Sequence, residues 1–204
     1  MTADSDGGGA TTVPQGADKR VRADARRSLD ALLQAAKTVF ATSGVDAPVR
    51  EIADAAGVGI GTVYRHFPQR ADLVAAVFRR EIDACADAAP ELAAAYPPFE
   101  ALVKWLERFV GFIATKRGLA AALHARGVAY EGLPAHRNQR LVPALRGLLD
   151  RAVAAGEVRA GVDAEDLLNA VGSLYMMVRD ERAAESASRM LALMLDGLRY
   201  GVKG

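Results

Sequence analysis

The sequence predicts an all-α chain, on three observations. Apolar residues recur at steps of three and four along most of the chain, and no stretch sustains the alternation of apolar and polar residues that a half-buried strand shows. Alanine, leucine, arginine and glutamate, all good helix formers, are plentiful. Glycines and prolines interrupt the pattern at spacings that suit separate helices. With 204 residues, 51% of them hydrophobic, the chain can bury a sizeable core. One or two compact units are expected, with about nine helices in all.

Residues 1–18 are rich in Gly, Thr and Asp and contain no apolar run, so they are expected to be a disordered tail and not a signal peptide. From Ala25 to Gly44, the residues Leu29, Leu32, Leu33, Ala36 and Phe40 keep helical spacing until Thr-Ser-Gly stops it. The next stretch, V-R-E-I-A-D-A-A-G-V-G-I-G-T-V-Y-R-H-F-P-Q-R from Val49 to Arg70, joins two short helical patterns through a glycine. Val49, Ile52, Ala53 and Ala56 share one face, and Gly57 enters a left-handed turn without steric cost. Val58 plugs the turn. Val63 and Phe67, four apart, face inward, leaving Thr62, Tyr64, Arg65 and His66 outside. This is the grammar of a helix-turn-helix, and its outer hydroxyls, imidazole and guanidinium suit phosphate oxygens and base edges.

Gly57 to Phe67, with the preceding R-E-I-A, resembles the DNA-binding signature of the TetR family of bacterial transcriptional repressors. The likeness spans residues 25–80: the first pattern resembles that family's first helix, and Arg70, Leu73 and Phe78 resemble the start of its fourth. The resemblance implies a three-helix DNA-binding domain over 19–70 and a helical effector-binding and dimerisation domain over 71–204. It implies that Tyr64 and His66 hydrogen-bond phosphates, that Thr62 does so or meets a base edge, and that Arg50 reaches a phosphate or guanine. Arg65 and Arg70 join this set as further DNA contacts. Gly59, Ile60 and Gly61 let the start of the recognition helix approach the bases, and Lys19, Arg20, Arg22 and Arg26 reach the backbone or minor groove from an N-terminal arm. Family members often carry Ser or Thr where this chain has Gly59, and Lys where it has Ile60. Glycine is still an acceptable cap, and isoleucine offers a thymine methyl an apolar contact.

The net charge of +1 is unevenly distributed. Residues 19–70 hold nine Lys and Arg against five acids, a net +4, whereas residues 71–204 hold seventeen of each sign. The positive field is confined to the stretch with the helix-turn-helix, as expected where affinity comes from counterions released by DNA phosphates. A solvated basic surface is the blander alternative. The single cysteine, Cys85, excludes an intramolecular disulfide and suits a reducing, cytoplasmic setting; it falls in register with Val74, Phe78 and Ile82 as a small apolar residue. The three histidines show no metal-ligand spacing, no cofactor motif occurs, and no run approaches a membrane span.

Beyond residue 70, punctuation places helices at about 70–88, 98–115, 117–126, 135–155, 163–180 and 184–201. The stripes Leu167, Leu168, Val171, Leu174, Tyr175 and Leu191, Met194, Leu195, Leu198 fit either the monomer's own core or a four-helix seam between two copies. A homodimer is favoured, because one helix-turn-helix makes few contacts and a two-fold pair engages both halves of a palindromic operator, about 34 to 36 Å apart. By resemblance, the middle helices enclose a small-molecule effector. The candidate lining is Trp105, Phe109, Phe112, Leu123, His124, Tyr130, Tyr175 and Met176, with Met177 and Leu119 as further members. The same residues describe a plain core equally well. The expected function is a transcriptional repressor released by an apolar or amphipathic effector, with the helix from Arg70 as the lever. A ligand-responsive activator and a helical ligand-binding protein without DNA affinity are the alternatives. Without a nucleophile motif, metal cluster or phosphate loop, an enzyme is not expected.

Overall fold

The computed structural model describes the backbone of residues 15–118 and 130–199, and the side chains of 26–113 and 130–199. Eight helices and no strand occur among the described residues. They are α1 (Gln15–Ser43), α2 (Val49–Ala56), α3 (Ile60–His66), α4 (Arg70–Ala95), α5 (Pro98–Gly118), α6 (Leu133–Ala154), α7 (Ala164–Met176) and α8 (Glu181–Arg199). The helix expected at 117–126 lies mostly outside the described residues. None of the described helices is long and apolar enough to cross a membrane.

One continuous apolar core runs from Leu32 on α1 to Leu198 on α8, and no polar or charged described residue is buried in it. The helix α4 is its spine, packing on α6, α5 and α1. Trp105, fully buried, donates from Nε1 to the Cys85 carbonyl at 2.9 Å, which satisfies the indole N–H and ties α5 to α4.

Three boundaries differ from the sequence reading. First, α1 begins at Gln15, inside the stretch expected to be tail, so Lys19, Arg20 and Arg22 sit on helical backbone and not on an extended arm. Second, α4 does not end before Pro90 but passes through it to Ala95. A proline inside a helix forfeits one hydrogen bond and crowds the carbonyl four residues back, a cost of roughly 3 kcal/mol. Burial offsets it: Ala88 and Ala89 are buried, Leu92 and Ala93 pack on the core, and Arg151 Nη2 donates to the Ala93 carbonyl at 2.8 Å. Third, α7 stops at Met176, short of 180, and Asp180 caps α8 by accepting from the Ala183 N–H at 2.8 Å.

Candidate nucleic-acid interface and effector cavity

The turn between α2 and α3 is built as its residues require. Gly57 has φ 66° and ψ 30°, and its N–H, with that of Val58 at 3.0 Å, closes the end of α2 on the Ala53 and Asp54 carbonyls. Gly59 is extended at the start of α3, and its carbonyl accepts from the Thr62 N–H at 2.8 Å. Val63 is buried, and Phe67 and Val58 pack against the core. These contacts fix the other side of α3 toward solvent. Tyr64 is 51% and Ile60 43% exposed; Arg50, Gly59, Gly61, Arg65 and His66 are exposed, and Thr62 is half-buried. Among the described residues, no hydrogen bond or salt bridge engages the side chains of Arg50, Tyr64 or Arg65, so their donors are available to another molecule. A Cβ added at Gly59 or Gly61 would meet nothing within 4 Å, so these glycines answer no demand of the chain itself and keep the start of α3 bare.

Arg70 is different. Its half-buried guanidinium turns inward, and Nη1 donates to the carbonyls of Val45 and, at 2.7 Å, of Ala47 in the loop between α1 and α2. It clasps the head to the first turn of α4 and is not displayed with Tyr64 and Arg65. Two more ties join α1 to α4: Lys37 Nζ to Glu81 Oε2 at 2.7 Å, and Arg80 Nη1 to Asp30 Oδ1 at 3.1 Å. Ser43 Oγ donates to Glu51 Oε1 at 2.9 Å and joins α1 to α2.

In the C-terminal part, a half-open cavity of about 320 Å³ lies between α5, α6 and α7. Phe109, Phe112, Ile113, Gly172, Met176 and Met177 line its apolar side, and Arg137, Asn169 and Ser173 its polar side. Of the residues singled out in the sequence, Phe109, Phe112, Met176 and Met177 therefore meet at one space. Trp105 does not line it: it is core, stacked on Phe109 at 5.9 Å between centroids. Tyr175 also faces the core, its hydroxyl 3.4 Å from Ser188 Oγ, and Tyr130 packs against the core away from the cavity. Leu119, Leu123 and His124 lie outside the described residues. The sequence reading missed Arg137, Asn169 and Ser173, because polar residues at helical spacing read as a solvated face until neighbouring helices are placed.

A second cavity of about 280 Å³, between α1, α4 and α5, is bordered by Lys37, Glu81, Cys85, Arg108 and Phe112. Burial pushes the Cys85 thiol up to about 12, with Arg108 opposing and Glu81 reinforcing the shift, so the sulfur is a neutral apolar filler. Phe112 lines both cavities, and Phe78 of α4 meets it edge-on at 6.1 Å between centroids. No group of three or more potential metal ligands occurs among the described residues.

Comparison with known proteins matches the chain in two stretches. Residues 32–77 match the family described as bacterial regulatory proteins, tetR family, and residues 97–200 match the C-terminal domain described as transcriptional regulator SbtR-like. The crystal structure of a TetR transcriptional regulator from Streptomyces coelicolor is 38% identical, with a TM-score of 0.71 over 83% of this chain and 97% of that one. A TetR transcription regulatory protein from Mycobacterium vanbaalenii is 37% identical, with a TM-score of 0.68 over 88% and 99% of the two chains. The HTH-type transcriptional repressor KstR2 of Mycolicibacterium smegmatis is 46% identical over 55 residues, which is 26% of this chain and 27% of that repressor.

Proposed function

The chain belongs to the TetR family of bacterial regulatory proteins, a family of regulators and not of enzymes, and from that premise we propose that it is a ligand-responsive transcriptional repressor. A single observation carries the DNA-binding part. On a head whose basic residues outnumber its acids, Arg50, Tyr64 and Arg65 stand exposed with unengaged donors beside a bare, glycine-flanked helix start. Tyr64, His66 and Thr62 hold phosphates, Arg50 and Arg65 reach phosphates or base edges, and Ile60 offers an apolar contact in the major groove. Arg70 supports these residues from behind by holding the α1–α2 loop.

Regulators of this family bind DNA as dimers. For this chain, the exposed Met177, Met190 and Leu193 on and beside α7 and α8 support a seam between two copies. The cavity would take a small effector in the cytoplasm. Because Phe112 touches Phe78, and α4 is clasped to the head by Arg70, a ligand that displaces Phe112 would tilt α4 and change the spacing of the two α3 helices. Coupling of this kind is typically about 1 to 3 kcal/mol, or roughly 5- to 150-fold in operator affinity.

The test is footprinting of the purified protein on DNA flanking its own gene. Two protected half-sites about one helical turn apart are expected. A protein that shifts no duplex fragment at low salt overturns the reading. Activation of a flanking promoter with the same footprint would select the activator alternative.

A further inference from the structure

The cavity between α5, α6 and α7 has one ionic group among its lining residues, the Arg137 guanidinium. Its surroundings orient that cation without neutralising it. Nη2 donates to Asn169 Oδ1 at 2.7 Å and Nε to Asn138 Oδ1 at 3.0 Å, both amide oxygens. The carboxylate of Glu165 is reached only through Asn138, whose Nδ2 donates to Glu165 Oε1 at 3.0 Å. Among the described residues, no carboxylate forms a salt bridge with Arg137. The adjoining stretch of sequence cannot supply one, because residues 114–129 hold Lys116, Arg117, His124 and Arg126 and no Asp or Glu. Burial pulls the guanidinium below its ordinary value, with Glu165 opposing, which is the sign of a cation shielded from water faster than it is paired.

Of the five N–H donors on a guanidinium, two are used here, leaving the Nη1 pair and one on Nη2. A half-buried cation with no salt-bridge partner among the described residues offers its remaining donors to an arriving anion. Resting on the effector reading above, we infer that the cavity takes a monocarboxylate with an apolar body. The carboxylate accepts from the free donors of Arg137, and the body lies against Phe109, Phe112, Ile113 and Met176. A planar carboxylate matches the guanidinium fork, and Asn169 fixes the plane in which it is presented. The volume sits at the small end of ligand sites, which suits a body of about eight to ten carbons or two fused rings.

Calorimetric titration of the full-length protein with matched pairs tests this: 1-naphthaleneacetate against 1-naphthaleneacetamide, and octanoate against octanol. The wild type is expected to bind each carboxylate at least about tenfold more tightly than its neutral partner. Arg137→Gln should bring the members of each pair to within about twofold while leaving the neutral one unchanged, and Arg137→Lys should retain part of the preference. Equal affinities in the wild type, a preference that survives Arg137→Gln, or no binding of either carboxylate at millimolar concentration would each overturn the inference. A gel shift on the same preparations separates the two readings. A wild type that keeps the carboxylate preference but shifts no DNA defeats the repressor reading alone, and one that shifts DNA without the preference defeats the ligand class alone.

Discussion

Replacing Arg70 by methionine separates a clasp from a DNA contact. The wild-type guanidinium holds two carbonyls of the loop between α1 and α2, those of Val45 and Ala47, both in residues that are themselves buried. A hydrogen bond from a charged donor is worth about 1.5 to 3 kcal/mol. Both bonds leave one nitrogen and the side chain is only half-buried, so the pair is taken at about 2 to 3 kcal/mol, not double the single value. Methionine keeps most of the aliphatic packing and removes only the donors. For a chain of this size, the loss should lower the melting temperature by about 4 to 12 °C. Operator affinity should fall because the first two helices no longer hold α3 at its angle, yet the slope of log K against log salt should stay as in the wild type. A phosphate ligand behaves otherwise: each such contact removed lowers the slope by about 0.9 with little change in stability. A variant with unchanged melting and a slope reduced by about one would refute the clasp and return Arg70 to the DNA-facing surface.

Tyr64→Phe removes one exposed hydroxyl and should weaken binding to all duplexes alike, by roughly fivefold in gel shifts; an effect confined to one operator variant would make it a base reader. Gly57→Ala adds a Cβ that meets nothing within 4 Å, so its cost is conformational only, about 1 to 2 kcal/mol in denaturant unfolding; no loss would mean that the turn is not held at positive φ in solution. The Cys85 thiol, raised from 9.0 to about 12 in the folded state, stays protonated where the unfolded thiol ionises, so its contribution is intact below pH 9 and is lost as pH rises toward 12. Cys85→Ala should flatten that part of the stability profile. Phe78→Leu should leave operator binding within about twofold but reduce the release produced by any carboxylate that the cavity binds; undiminished release would place the coupling elsewhere.

Local chemistry made the head legible. Gly57 terminates α2 because only its backbone reaches a left-handed turn cheaply, and Val63 and Phe67 orient α3 by a four-residue step, both facts contained within a dozen residues. The ending of α4 was not legible at Pro90, because what carries the helix onward is Arg151 on the Ala93 carbonyl and packing by residues far along the chain. The inward turn of Arg70 was not legible for a similar reason: its partners lie more than twenty residues upstream, and a guanidinium at the motif's corner looks the same whether it turns in or out. In the cavity, aromatic spacing found Phe109 and Phe112 but could not separate them from Trp105, one turn earlier on the same face of α5. Three helices had to be placed before lining and core differed.

That difference is one of order along α5. Trp105 is locked, its ring stacked on Phe109 and its N–H bonded to α4, so it resists displacement. Phe112, two turns on, has no polar anchor and a cavity on either side, one reaching Arg137 and the other reaching the Lys37–Glu81 pair that joins α1 to α4. A side chain packed on all sides moves only if its neighbours repack, whereas one between two voids can move at modest cost in lost contacts. The anchored tryptophan thus gives α5 a fixed point, and the ring between the voids gives it a movable one, directly against Phe78 on the helix that holds the head. On the proposed reading, a ligand confined to Phe109 and Met176 would gain affinity from this arrangement without leverage, and release would require occupancy that reaches Phe112.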